Sequence, residues 1–121
     1  MIIICWRFHI ITLNLLEDSI LLNEGVLSAL DWPRQIQILI NRDEKMLLLR
    51  ACGIDDRQAV VMPREHILQF EISGRTLLRR IRRMVGWDDD APRLCCGEYL
   101  PAFQAVRFNL ALAERLDTDR L

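Results

Sequence analysis

An arginine-rich amphipathic segment near the middle of the chain constrains the fold more than any other stretch. Residues 71–87, EISGRTLLRRIRRMVGW, predict a helix because their apolar side chains recur three and four positions apart. We expect Ser73 to cap this helix and Gly86 to end it. The apolar arc holds Leu77, Leu78, Ile81, Met84 and Val85, and the opposite arc holds Arg75, Arg79, Arg80, Arg82 and Arg83.

The arginine arc is the strongest chemical signal in the sequence, and it predicts a nucleic-acid-binding surface made of all five arginines. Guanidinium groups spaced along a helix can follow a phosphate backbone and release its counterions. Two other interpretations stay open. The arc could be solvated or neutralised within the chain, by residues such as Glu71, Glu98 and those of 88–90, or it could meet an acidic protein partner.

Composition indicates a single compact domain over residues 1–121. The apolar fraction of 51% is enough for a real core, while the net charge of −1 is unusual for a dedicated nucleic-acid binder. No apolar run approaches the roughly 18 residues that cross a membrane. The first ten residues lack the basic start of a signal peptide and are more typical of a strand. We therefore expect a cytoplasmic protein without a membrane partner.

Neither the cysteines nor the histidines form a recognisable metal or catalytic pattern. Cys5, Cys52, Cys95 and Cys96 contain no C-x-x-C spacing, and the two histidines lie far from the adjacent pair. Reduced thiols packed in strands are the expected outcome. No nucleophile elbow, Walker loop or H-E-x-x-H is present. The sequence thus predicts no catalytic residue, no metal, no cofactor and no enzyme activity.

Hydrophobic periodicity divides the chain into short strands and helices. Alternation at 35–40 and 46–51 predicts a hairpin, and 93–97 with 103–109 predicts a second one. Asn23 is expected to cap a short helix that precedes the first hairpin. The remaining predicted elements are strands at 2–13, 20–22, 59–62 and 66–72, a linker at 53–58, and helices at 24–31 and 110–116.

The order strand, short helix, tryptophan, hairpin occurs twice and predicts internal repeats over 1–52 and 66–110. One such unit is too small to bury its own apolar face, whereas two could share a core. The predicted fold is α+β, with both repeats forming a pseudo-two-fold barrel-like or sandwich sheet core and a short C-terminal helix. Trp32 and Trp87 are then expected to plug equivalent ends of the core rather than to stack on bases.

The segment SILLNEGVLSALDWPRQIQILINRDEKMLLLRAC, residues 19–52, resembles the AbrB-like, swapped-hairpin transcription factors and antitoxins. Residues 30–32, Leu-Asp-Trp, stand where that family has Leu-Gly-aliphatic at the end of its short helix. In the second copy, residues 81–87 resemble the same helix end and include its paired arginines and glycine. Two tandem copies are similar to the arrangement in MraZ-type proteins. The resemblance implies DNA binding as dimers or higher oligomers, through arginines near the first strand and on the short helix.

The two copies depart from the family pattern to different degrees. In the first copy, Asp18-Ser19 and Leu27-Ser28 replace the expected arginine positions, and Asn23 replaces a proline. The second copy keeps Arg82 and Arg83, with Gly74-Arg75 one residue out of register. The expected function is a small, bacterial-type DNA-binding transcriptional regulator or antitoxin-like protein, with a homodimer or a protein partner. The alternative is a non-catalytic interaction or assembly module that has lost DNA binding.

Overall fold

The computed structural model describes residues 8–53 and 59–116 and shows a strand-rich α+β fold. The described residues form nine strands, two α-helices and two short 3₁₀ turns at Pro101–Phe103 and Leu110–Leu112. In chain order the strands and helices are β1 (His9–Asn14), β2 (Ser19–Asn23), α1 (Glu24–Ala29), β3 (Gln35–Asn41), β4 (Met46–Cys52), β5 (Val60–Val61), β6 (Gln69–Ser73), α2 (Arg75–Val85), β7 (Arg93–Leu100), β8 (Ala105–Asn109) and β9 (Glu114–Arg115).

The strands of the described residues form one antiparallel sheet that curls into a nearly closed, barrel-like shape. Its strand order is β5-β3-β4-β8-β7-β1-β2-β6, and β9 pairs separately with β7. The two end strands, β5 and β6, follow one another in the chain and are joined by residues 62–68 only. The predicted hairpins are both confirmed, as β3–β4 and β7–β8.

Alternating side chains place the core inside the curled sheet. Leu47 and Leu49 of β4 are fully buried, and so are Val106 and Phe108 of β8, which pairs with β4. Gly97 of β7 lies directly opposite Phe108, and a Cβ atom at Gly97 would come within 2.5 Å of the phenylalanine ring. Glycine at this position therefore lets the ring pack against the backbone of the neighbouring strand.

Helix α1 is fixed by a local cap and by burial, as the sequence predicts. The Asn23 side chain accepts a hydrogen bond from the backbone N–H of Val26 at 3.0 Å. It also accepts one from Ile10 N–H and donates to the carbonyl of Phe8, which ties the helix start to β1. Val26 and Leu27 are fully buried and anchor the helix in the core.

The start of the arginine-rich helix differs from the prediction, because residues 71–73 belong to strand β6. Glu71 and Ser73 pair with Leu21 and Ser19 of β2. Helix α2 begins at Arg75, after an N-cap glycine that offers no side-chain hydrogen bond, so the predicted Ser73 cap is wrong. A strand pairing thus outcompetes one more turn of helix. The predicted end at Gly86 is confirmed by its left-handed backbone, with φ of 87°.

The predicted helix at residues 110–116 is wrong. Asn109 caps a single 3₁₀ turn at Leu110–Leu112, and the chain then extends as β9, where Arg115 pairs with Arg93 of β7. So short a segment gains more from an open strand edge than from an isolated helix, whose nucleation is costly. The predicted strand at 66–72 begins only at Gln69.

Some predictions fall on positions outside the described residues. These are the first part of the strand at 2–13, the linker positions 54–58, Cys5 and the last residues of the chain. Neither of the two described α-helices combines the length and the apolar character that crossing a bilayer requires.

Candidate nucleic-acid interface

The apolar side chains of α2 determine which side of the helix meets solvent. Leu78 and Ile81 are buried, and Leu77, Met84 and Val85 are half-buried against the same core. The predicted apolar arc is therefore confirmed. The opposite side of the helix, which carries the arginines, points away from the core.

Three arginines of α2 project into solvent without an acidic partner. Arg79, Arg80 and Arg83 are exposed, and none forms an ion pair or hydrogen bond with any residue that the structure describes. We call these three the open arginine face. Like charges three or four positions apart destabilise a helix by roughly 0.2–0.5 kcal/mol per pair, so the fold gains no electrostatic stability from them.

Arg75 lies at the edge of this face with a weak internal contact. Its Nε atom is 3.9 Å from Oδ2 of Asp18, and its side chain is 73% exposed. Solvent-exposed pairs at such a distance contribute little to stability. Arg75 therefore remains accessible to an anion.

Arg82 is engaged within the protein. Its Nη2 atom donates to Oδ1 of Asp90 at 2.5 Å and to the carbonyl of Asp89 at 2.6 Å, while Nε donates to the carbonyl of Trp87 at 3.3 Å. Only 30% of the side chain is exposed. The sequence predicts an exposed Arg82, but in the structure this residue fastens the end of α2 to the acidic segment that follows it.

Asp89 organises the same segment from the carboxylate side. Its Oδ1 accepts from Arg93 at 3.0 Å and from the backbone N–H of Ala91 at 2.9 Å, and its Oδ2 accepts from Arg115 at 3.2 Å. The Arg93 hydrogen bond and then the Ala91 bond hold the pKa of Asp89 at about 2, below its ordinary 3.8. Asp89 and Asp90 thus neutralise Arg82, Arg93 and Arg115, and leave the open arginine face unneutralised.

Two clefts flank the arginine side of α2. One has a volume of about 470 Å³ and is lined by Arg79, Arg82, Arg83, Gly86 and Trp87. The other lies between α2 and β3, and its volume is about 360 Å³. Its lining residues are Ile38, Leu39, Ile40, Arg42, Leu77, Arg80 and Met84. We call this second space the β3–α2 cleft.

Arg42 is the residue that sequence reasoning missed at this surface. It belongs to the β3–β4 turn and lines the β3–α2 cleft together with Arg80, although 38 positions separate the two in the sequence. Arg42 is exposed and has no ion pair among the described residues. Arg34 and Arg64, also exposed, line neither of these clefts. Only knowledge of the strand order, which brings the β3–β4 hairpin to α2, could have predicted that Arg42 lies at this surface.

The two tryptophans that follow the helices are both half-buried against the core. Trp32 donates from Nε1 to the carbonyl of Ile67 at 3.0 Å and stacks on His66 with 4.3 Å between ring centroids. Trp87 lies under the guanidinium of Arg93 at 5.1 Å. Both rings therefore hold neighbouring segments of the protein together.

Helix α1, the counterpart of α2 in the first half of the chain, offers no comparable basic surface. Helix α1 has a glutamate in its first turn and no basic residue in its last turn, and its exposed position is Ser28. The candidate interface therefore lies on α2 and the β3–β4 turn.

The described cysteines lie in strands, as the sequence predicts. Cys95 is buried in β7 and Cys96 is exposed on the same strand, with no disulfide at either. Burial raises the pKa of the Cys95 thiol to about 11, which leaves it protonated and unreactive. No group of three or more His, Cys, Asp or Glu side chains suited to a metal occurs in the described ranges.

Comparison with known proteins identifies no relative of this chain. No family model, curated protein or solved structure matches the chain.

Proposed function

We propose that this protein binds duplex DNA through α2, as a small bacterial-type transcriptional regulator or antitoxin-like protein. The observation that carries the proposal is the open arginine face: three exposed guanidinium groups on one helix with no acidic partner among the described residues. Arg75 and Arg42 would extend the contact on either side. Arg82 would act indirectly, by holding the end of the helix.

The distribution of carboxylates favours this function over a merely solvated arginine face. Asp89 and Asp90, which follow α2, are directed to Arg82, Arg93 and Arg115 rather than to the open arginine face. Repulsion among the open arginines is relieved when phosphates approach, and each neutralised phosphate releases counterions. Phosphate contacts position a protein on DNA but do not read its sequence.

We further propose that the scaffold is an internal duplication of the AbrB-like type. Let one unit be β1, β2, α1, β3 and β4, and the other β5, β6, α2, β7 and β8, so that the second unit begins at Val60 rather than at the predicted residue 66. In this division β1, β2, β3 and β4 correspond to β5, β6, β7 and β8. A two-fold axis that exchanges the units would turn the β1–β7 pairing into β5–β3, and it would leave the β2–β6 and β4–β8 pairings unchanged. Each of these pairings is present, which supports two-fold related units. The β1–β2 pairing has no β5–β6 counterpart among the described strands.

A second candidate function is an interaction module that no longer binds DNA. The favouring observation is that Arg82, one of the paired arginines expected to touch DNA, is occupied by Asp90, while the first half carries no equivalent arginines. In that case the open arginine face would meet an acidic protein.

DNA binding is tested by fluorescence anisotropy with a random-sequence duplex at about 50 and about 200 mM salt, where phosphate contacts weaken steeply. We expect wild type to bind at low salt and the Arg79→Ala/Arg83→Ala variant to bind at least about tenfold more weakly. The matched control, Arg34→Ala/Arg64→Ala, removes the same charge elsewhere and should bind nearly as wild type. Absence of binding at low salt, or equal losses in both variants, would rule out the proposal.

A further inference from the structure

The β3–α2 cleft combines an apolar floor with a basic rim. Ile38 and Ile40 of β3 and Leu77 and Met84 of α2 are only half-buried, so their remaining apolar surface faces the cleft. Leu39, also at the cleft, is 39% exposed. Covering such a concave apolar surface with another apolar group is favourable, because it removes apolar area from water.

The rim of the cleft is positively charged. Arg42 and Arg80 both line it, and neither has a carboxylate within ion-pair distance in the described part of the chain. Two arginines beside an apolar floor are complementary to a ligand that carries both carboxylates and aliphatic side chains.

The backbone of β3 favours an extended ligand. On the side away from β4, β3 pairs with β5 at Gln35 and Ile36 only, and Met62 N–H continues that contact to the carbonyl of Arg34. Beyond that pairing, residues 38–40 of β3 and then Arg42 line the cleft one after another. A cleft that follows consecutive residues of a strand suits an extended peptide, whose alternate side chains can enter neighbouring pockets.

We propose that the β3–α2 cleft binds an acidic, extended peptide segment of a partner protein. Aliphatic side chains of the segment pack on Ile38, Leu77 and Met84, and its carboxylates pair with Arg42 and Arg80. The proposal does not depend on DNA binding, although Arg80 belongs to both surfaces.

The test uses a short fluorescein-labelled peptide that alternates glutamate with isoleucine. Two further peptides isolate the components: one alternates glutamate with glycine and lacks the apolar groups, and the other alternates lysine with isoleucine and reverses the charge. We expect the full-length protein to bind the first peptide at least about tenfold more tightly than either control peptide, as measured by anisotropy. Amide NMR shifts should concentrate at residues 37–41.

Matched variants separate the cleft from general electrostatics. Arg80→Glu should weaken binding at least about tenfold, whereas Arg83→Glu, the same charge change on the same helix outside the cleft, should change it by less than about threefold. Arg42→Glu provides the same test from the other rim, and far-UV circular dichroism checks that each variant folds. Absence of binding, equal binding of the glutamate–glycine peptide, or equal losses in Arg80→Glu and Arg83→Glu would overturn the proposal.

Discussion

Helices α1 and α2 each follow a strand of the β2–β6 pair, yet they differ in length, capping, burial and charge. Helix α1 is six residues long, has an asparagine cap, and buries Gly25, Val26 and Leu27. Helix α2 is eleven residues long, lacks a side-chain cap, and carries five arginines. Helix α1 is therefore anchored by burial and its cap, whereas α2 carries arginines that have no partner among the described residues.

The internal contacts of α2 show which of its arginines the fold does not engage. Of the five arginines on α2, Arg82 has strong partners inside the protein and Arg75 has a distant one. Removing the charge that the structure needs leaves Arg79, Arg80 and Arg83, which together form the open arginine face. The predictions below test whether stability and surface charge separate in this way.

The largest effect should come from the core of α1. Leu27→Ala removes a fully buried side chain, and we expect it to lower the free energy of unfolding by about 2–5 kcal/mol, through lost burial and the cavity left behind. Arg83→Ala, on the exposed side of α2, should change it by less than about 0.5 kcal/mol. Urea denaturation measures both. A comparable loss in Arg83→Ala would contradict the division between the helices.

The β7–β8 hairpin, which follows α2 in the chain, should be the next most sensitive region. Gly97→Ala places a Cβ atom against the Phe108 ring, and overpacking of this kind costs about 1–3 kcal/mol. Gly53→Ala is the control, because nothing lies within 4 Å of its added Cβ. Thermal melts of the two variants should differ clearly, and equal melting temperatures would show that the ring can move aside.

The cap of α1 should matter more than the residue that the sequence suggests as the cap of α2. Asn23→Ala removes the hydrogen bond to Val26 N–H and the links to Phe8 and Ile10, and should cost about 1–2 kcal/mol. Ser73→Ala, at an exposed strand position that caps nothing, should be nearly neutral. Chemical denaturation distinguishes them, and similar losses would mean that Ser73 caps α2 in solution.

A smaller, pH-dependent effect should arise where the end of α2 is fastened. The folded-state pKa of Asp89, about 2, lies below its ordinary value of 3.8. Its stabilising contribution is therefore complete above about pH 4 and is lost as the pH falls towards 2. The melting temperature of Asp89→Asn should start lower and fall less over this range than that of wild type. Asp88→Asn, at an exposed residue, is the control and should show the pH dependence of wild type. The same pH dependence in Asp88→Asn and Asp89→Asn would contradict the role of Asp89.

Sequence patterns predicted the elements whose signals are local. The cap at Asn23, the hairpins and the stop at Gly86 follow from residues close in sequence, and the structure contains each of them. Strand pairing overrode such signals elsewhere. Residues 71–73 joined β2, and Arg115 joined β7, because each found an available strand edge.

The candidate site could be predicted only in part for the same reason. Periodicity identified the side of α2 that carries the arginines, but it could not show that Asp90 reaches Arg82. Nor could it show that Arg42 and Arg80 line the same cleft, since that depends on where a hairpin distant in sequence lies relative to the helix. Packing between segments distant in sequence determines which arginines have an acidic partner and which do not.

The most direct test of this account is the dependence of DNA affinity on salt, measured for wild type, Arg83→Ala and Arg82→Ala together with their melting temperatures. Arg83→Ala should reduce the slope of log K against log salt by about 0.9, the value of one phosphate contact, at an unchanged melting temperature. Arg82→Ala should lower the melting temperature, because three hydrogen bonds are lost, and leave the slope nearly unchanged. The reverse pattern, or no salt-dependent binding in wild type, would contradict the account.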